Sequence, residues 1–207
     1  MSTVNPTSLS IEVDPSLGTE AFGYLALAAI RTAEEFGAEP FPTPLRVERA
    51  SSPDVPPQQL PNLIIVTMNA DPDQVRLQLG HEVFHWICTP AYVHHWVHEM
   101  FAMEMSIRHL RANGFNIYAD TCEVDFHQGA TEFSIDRMLD ESISPPYPSG
   151  LHDRAYAVGK ELIDVIKWDR LKPLARMFDE ETQPDLAGWL ESLTVAEQLA
   201  VRGILSL

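Results

Sequence analysis

The chain has 207 residues, a length typical of one domain, and 45% of them are hydrophobic, which is enough for a packed core. Its 30 acidic residues outnumber its 14 lysines and arginines, giving a formal net charge of −16. A surface this acidic repels phosphate backbones and anionic lipid headgroups, so we expect no nucleic-acid partner and no membrane partner.

The start of the chain, residues 1–10, has neither the basic residues nor the apolar stretch of a signal peptide. No apolar run is long enough to span a bilayer. The two cysteines, Cys88 and Cys122, are too few for a disulfide framework. These features predict a cytoplasmic protein, although a secreted chain that has already been processed would have the same features.

The first predicted element is a helix over residues 20–36, which is rich in Ala and Leu and which Gly37 should end. Two strands follow. Residues 45–49 alternate apolar and polar side chains, and residues 62–67 are apolar and β-branched, as in a buried strand.

Two long helices are predicted next. Asp71 can cap the first and Pro72 suits its first position, so this helix should cover residues 71–87. The second should run from about residue 92 to residue 112, with Gly114 after its end.

The rest of the chain is predicted to be mostly helical. Residues 115–150 show a mixed pattern, and a polar cluster within them is assigned to a loop: Cys122, Glu123, Asp125 and His127. Helical stretches are predicted at 152–168, 171–178 and 194–205, with a shorter helix opening at 184–186. The expected fold class is therefore α+β with few strands.

Residues 80–85, Gly-His-Glu-Val-Phe-His, carry the clearest chemical signal. His81 and His85 are four apart in a predicted helix, so their rings share one face. That is the spacing with which two imidazoles hold one tetrahedral zinc ion. Glu82 points in a neighbouring direction and can take a proton from a zinc-bound water. The alternative interpretation is two histidines on an ordinary polar face.

The next predicted helix offers two candidates for a third ligand, Glu99 and Glu104. They lie about 140° apart around the helix, so both cannot face one metal. Three nearby histidines are further candidates: His94, His95 and His98. Cys88 is another, although a buried, inert thiol is the more common state of a cysteine.

The motif at 81–85, followed by Trp-Val-His-Glu-Met-Phe-Ala at 96–102, resembles the gluzincin metallopeptidases, the clan of thermolysin and the zinc aminopeptidases. The resemblance covers about residues 62–112 and the segment around Tyr156. It implies a small zincin-like domain with an active-site helix and a glutamate helix. It also implies a zinc cofactor and a hydrolase that cleaves a peptide or protein substrate, with Glu82 as the catalytic base.

The resemblance leaves two assignments of the third ligand. The residues around Glu99 are similar to the Asn-Glu-Gly-Phe-Ala signature of the aminopeptidases, whereas their spacing of eighteen residues after the second histidine leads from His85 to Glu104. We prefer Glu99, because loops between helices tolerate deletion better than the neighbours of a ligand tolerate change. Met103 and Arg108 stand where thermolysin-like enzymes have a supporting carboxylate.

Residues 154–160 are similar to a tyrosine-containing segment of aminopeptidase-type gluzincins. The resemblance implies that the Tyr156 hydroxyl donates a hydrogen bond to the developing oxyanion. Tyr147 and His152 are lesser candidates for this role, and the alternative for Tyr156 is a ring packed on a helix.

The expected organisation is one metallopeptidase-like domain over residues 1–207. Residues 1–114 should hold the strands and the two long helices, and residues 115–207 a helical C-terminal subdomain. We expect the strand at 62–67 to be the sheet edge on which a peptide lies extended. The alternative function is a catalytically inactive zincin-like module that recognises a protein partner.

Overall fold

The computed structural model describes residues 10–37, 44–88, 95–139, 150–178 and 183–207. Within these ranges the chain is α+β, as predicted, with one four-stranded mixed sheet and nine α-helices. The strands are β1 (Ile11–Val13), β2 (Leu45–Arg49), β3 (Gln58–Leu60) and β4 (Leu63–Val66). The helices are α1 (Thr19–Phe36), α2 (Pro72–Cys88), α3 (Trp96–Ala112), α4 (Asn116–Ala130), α5 (Ile135–Met138), α6 (Leu151–Ile166), α7 (Trp168–Leu171), α8 (Leu186–Glu191) and α9 (Val195–Leu205).

These elements form two compact units. The first unit takes its described residues from Met1–Ala91 and Met105–Ala119, and the second from Tyr92–Glu104 and Asp120–Leu207. Helices α3 and α4 are therefore each divided between the two units, α3 after Glu104 and α4 after Ala119. The predicted organisation, one metallopeptidase-like domain divided at residue 114, stays a prediction.

The sheet of the first unit has the strand order β1-β2-β4-β3. β2 is parallel to both β1 and β4, and β3 is antiparallel to β4, with Leu60 opposite Leu63. The expectation that the strand at 62–67 is a sheet edge is therefore wrong. The two-residue connection Pro61-Asn62 folds β3 back beside β4, so β3 is the edge strand on that side.

The boundaries of α1 and α2 follow from local capping. Gly37 has a φ of 62°, the left-handed conformation that ends many helices, and its N–H bonds back to the Ala33 carbonyl. The Asp71 carboxylate accepts hydrogen bonds of 2.9 Å from the backbone N–H groups of Asp73 and Gln74. The predicted ends of these two helices are confirmed to within a residue or two.

Helix α2 packs unusually closely on the part of α3 that belongs to the first unit. A Cβ added at Gly80 would lie 2.9 Å from the Ser106 Cα, a distance that side chains do not adopt. Only a hydrogen fits between the two backbones at this point. The residue just before His81 is therefore restricted to glycine by packing.

We expect Gly80→Ala to lower the free energy of unfolding by about 1–3 kcal/mol, the usual cost of overpacking. The matched control is Gly23→Ala, because Gly23 lies in α1 of the same unit with nothing within 4 Å of an added Cβ. That control should be neutral or stabilising, since alanine favours helix more than glycine does. Urea unfolding of both variants measures the difference, and equal effects would contradict the packing argument.

A buried histidine makes the first unit sensitive to acid. His109 on α3 is 1% exposed, and its Nε2 lies 2.9 Å from the Thr32 hydroxyl on α1. Burial, with a smaller contribution from the Arg31 charge, lowers the pKa of His109 from 6.5 to about 4. The unfolded chain therefore takes up a proton near pH 6.5, whereas the folded chain does so only near pH 4. Stability is full above pH 6.5 and is lost as the pH falls through this window.

Between pH 7 and pH 4 we expect the free energy of unfolding of the wild type to fall by up to about 3 kcal/mol more than that of His109→Gln. The variant cannot be protonated at this position, so it serves as the reference for all other titrating groups. Urea unfolding at a series of pH values measures the two slopes. Parallel slopes would show that His109 does not titrate as a buried group.

The second unit is built around α6, whose buried face includes Leu151, Ala155, Tyr156 and Leu162. Gly159 on this face packs against α3 so closely that an added Cβ would lie 2.4 Å from the Met100 Cγ. The C-terminal helix α9 begins at a capping box formed by Thr194 and Glu197, as the sequence predicts for a helix there. The predicted helix at 171–178 is instead a 3₁₀ helix, Lys172–Arg176.

Helix α4 corrects the sequence interpretation of residues 115–150. The polar cluster assigned to a loop lies within this helix: Cys122, Glu123, Asp125 and His127. The helix lacks a strong amphipathic pattern, so the hydrophobic periodicity of its sequence does not reveal it. In the part of the chain that the structure describes, no helix combines the length and apolarity needed to cross a bilayer.

Candidate functional site

The two histidines of the HExxH motif converge on one point beside α2. Their Nε2 atoms are 3.1 Å apart, and the rings meet at 65° with centroids 4.8 Å apart. Two nitrogens bound to one tetrahedral zinc at about 2.0–2.1 Å would be roughly 3.3 Å apart. His85 is buried and His81 is half-buried. The separation of 3.1 Å is that of a hydrogen bond between the two imidazoles, and it is also close to the spacing of two nitrogens on one tetrahedral zinc ion.

Glu82 lies between the two histidines in sequence and is 5% exposed. A buried carboxylate costs free energy unless it serves a structural contact or a chemical function, and such groups are concentrated at functional sites. Its position on α2 is the one that a general base of an HExxH motif occupies. The roles predicted for His81, Glu82 and His85 stay predictions.

The preferred third ligand, Glu99, lies in the part of α3 that belongs to the second unit. Its Oε2 is 3.3 Å from the Nε2 of His152, on α6. The Glu99 side chain is 4% exposed, whereas the His152 side chain is 42% exposed. From the sequence, His152 is only a lesser candidate for the oxyanion role, and no local pattern indicates its contact with Glu99.

The alternative third ligand, Glu104, has a different partner. Its Oε2 lies 3.7 Å from the Lys160 ammonium, which is also 3.5 Å from Glu123. An ammonium competes with a metal ion for a carboxylate, whereas an imidazole such as His152 is itself a metal ligand. The partners of the two glutamates therefore favour Glu99 as the metal ligand, as the local sequence does.

Tyr156 is fully buried and occupies the same region of α6. Its hydroxyl donates a hydrogen bond to Glu123, and its ring packs edge-on against Phe126 at 5.2 Å. Its predicted role at an oxyanion stays a prediction. His152, one turn earlier on α6, contacts Glu99.

The remaining candidates have structural contacts of their own. His98 is fully buried, and its ring meets Phe178 at 5.4 Å. His95 accepts a hydrogen bond from the Val97 N–H at the start of α3. Cys88 and Cys122 are buried thiols. Two other candidates lie outside the described residues: His94 and Tyr147.

The surroundings of His152 are acidic. The neighbouring Asp153 is partly buried, and this burial raises the pKa of its carboxyl group. The charge of His152 opposes that change, whereas Asp125 and Glu132 add to it. A negative environment favours bound cations over bound anions.

Comparison with known proteins adds no relative. No family model, no curated protein and no solved structure matches the chain. A function must therefore be derived from the donor groups themselves. Two imidazoles and a carboxylate are the ligand set of many catalytic zinc sites, in which water takes the fourth position.

Proposed function

We propose that this protein is a zinc-dependent peptidase of a compact gluzincin type, which binds zinc through His81, His85 and Glu99. The observation that carries the proposal is the 3.1 Å separation of the two histidine Nε2 atoms. It matches the spacing of two ligands on one tetrahedral ion. The sequence resemblance of residues 81–85 and 96–102 to the clan supplies the third ligand and the reaction.

The chemistry would use few groups. Zinc held by His81, His85 and Glu99 would supply a water of lowered pKa. Glu82 would be the base that accepts a proton from the attacking water, whose oxygen forms a bond to the carbonyl carbon of the substrate. Glu82 then passes the proton to the leaving amine nitrogen as the C–N bond breaks. His152, which is partly exposed beside Glu99, is a donor available to the oxyanion, together with the predicted Tyr156.

The substrate that fits this unit is an extended peptide or protein segment. β3 is the outer strand next to β4, and both strands contact α2, which carries the motif. An extended chain can pair with such an edge through main-chain hydrogen bonds. β3 thus replaces the strand at 62–67 as the proposed peptide-binding edge. The acidic composition argues against nucleic-acid and membrane partners, and the cytoplasm remains the proposed compartment.

The test is cleavage of a peptide library by the purified chain, with fragments identified by mass spectrometry. We expect cleavage by the untreated protein, loss of cleavage after a zinc chelator, and recovery on adding about one equivalent of zinc. Cleavage that survives complete zinc removal would contradict the proposal.

A second candidate function is a zincin-like binding module without catalysis. The contact of His152 with Glu99 favours it, because a fourth protein ligand would fill the position that water needs. Under this alternative, the zinc-loaded chain cleaves no peptide and His152→Ala weakens zinc binding. Under the peptidase proposal, His152→Ala keeps its zinc and loses turnover.

A further inference from the structure

A charged cluster in the second unit lies outside the proposed ligand set. It consists of Glu104 on α3, Glu123 on α4, and Tyr156 and Lys160 on α6. The Lys160 ammonium is 3.7 Å from a Glu104 oxygen and 3.5 Å from the Glu123 Oε1. The Tyr156 hydroxyl donates to the same Glu123 oxygen. One ammonium thus links α6 to carboxylates on two other helices.

The charges of this cluster depend on Lys160. The Glu104 side chain is 7% exposed and that of Lys160 is 33% exposed, so solvent screens their attraction less than at a free surface. Without the ammonium, the carboxylates of Glu104 and Glu123 would both remain near the same space. Two like charges repel, and α3 and α4 would have to shift to separate them.

The cluster is adjacent to the proposed ligand through α3. Glu99 lies five residues before Glu104 on that helix, and Met100, next to Glu99, packs tightly on Gly159. Gly159 in turn precedes Lys160. Two neighbouring positions of α6 therefore hold α3 in one rotation, one by close packing and one by an ion pair.

We propose that Lys160 is a positioning residue, which fixes the rotation of α3 through Glu104 and so orients Glu99 for zinc binding. This inference rests on the proposed function. Groups that hydrogen-bond a metal ligand typically change metal affinity by about 10–100-fold when they are replaced, and that range sets the scale for Lys160, which reaches Glu99 only through Glu104.

The experiment measures the zinc dissociation constant of each variant by competition with a chromophoric chelator, together with the thermal midpoint of the zinc-free chain. We expect Lys160→Met to weaken zinc binding by about 10–100-fold. Lys160→Arg, which keeps the charge, should stay close to the wild type. The matched control is Lys172→Met, because Lys172 has the same side-chain exposure, 33%, and pairs with Asp169 at 3.2 Å in the same unit. It should bind zinc as the wild type does.

The outcomes separate the two proposals. A wild type that binds zinc and a Lys160→Met variant with the same affinity, even at a lower thermal midpoint, would overturn the positioning role alone. A wild type that binds no zinc would overturn the proposed function and this inference with it. If Lys160→Met does not fold, Lys160→Met combined with Glu123→Gln removes one of the two repelling charges but does not restore the ion pair with Glu104, so we expect a smaller weakening of zinc binding, still larger than that of Lys172→Met.

Discussion

Replacing Glu82 by glutamine should leave about one zinc ion per chain and lower peptide hydrolysis by about 10²–10⁴-fold, the usual contribution of a general base. The amide has nearly the shape of the carboxylate, so the buried position of Glu82 on α2 stays filled. The glutamine amide, however, cannot accept the proton of the attacking water. The measurement is kcat/KM on a peptide found in the library screen, with zinc determined by elemental analysis.

The control for this variant is Glu191→Gln, at the exposed end of α8. It makes the same chemical change away from the motif and should keep full activity. A Glu82→Gln protein that retains zinc and cleaves at the wild-type rate would rule out Glu82 as the base. If the variant lost zinc as well, the loss of activity would say nothing specific about proton transfer.

The second large effect concerns the third ligand. We expect Glu99→Gln to weaken zinc binding by more than about 100-fold, beyond the range typical of residues that only support a ligand. Glu104→Gln should still bind about one zinc per chain at saturating zinc, because the wild-type carboxylate faces Lys160 and is not the proposed ligand. Its affinity should fall only by the smaller factor expected when the Glu104–Lys160 pair is lost. The two variants are isosteric with their parents and lie on the same helix, so each serves as the control for the other.

Zinc content and dissociation constants of both variants settle this point. Loss of zinc in Glu104→Gln with full retention in Glu99→Gln would instead support the spacing of the aminopeptidases. That result would also contradict the positioning role of Lys160, since Glu104 could not be both a zinc ligand and the partner of an ammonium.

The elements that the sequence predicts well have their signals close by in the chain. Gly37 ends α1, and Asp71 with Pro72 begins α2, because capping involves neighbouring residues. The apolar composition of β4 is typical of a buried strand, and the length of α3 is typical of a helix. The arrangement of His81 and His85 is predictable for the same reason, because residues four apart on a helix lie on the same face.

What the sequence could not show depends on distant residues. β1 and β3 have three residues each, and pairing with neighbouring strands, more than their own propensity, makes them strands. The position of β4 inside the sheet depends on the order of all four strands, and the residue pattern of β4 alone does not reveal that order. Helix α4 is likewise not visible in the sequence, because its amphipathic pattern is weak.

The candidate site likewise has one part that the local sequence predicts and another part that depends on distant residues. Periodicity predicts that Glu99 and Glu104 cannot both face one metal, and it cannot choose between them. The choice depends on partners about fifty residues further along the chain, His152 for one glutamate and Lys160 for the other. The contact of Tyr156 with Glu123 is another long-range pair. Such pairings require the fold.

The most direct test of the central claim is the zinc content of the wild-type chain, purified without chelators and measured by elemental analysis. The convergence of the His81 and His85 nitrogens at 3.1 Å predicts about one zinc ion per chain. A wild-type chain that carries no zinc, and takes up none when micromolar zinc is added, would contradict the metal site and the peptidase proposal built on it.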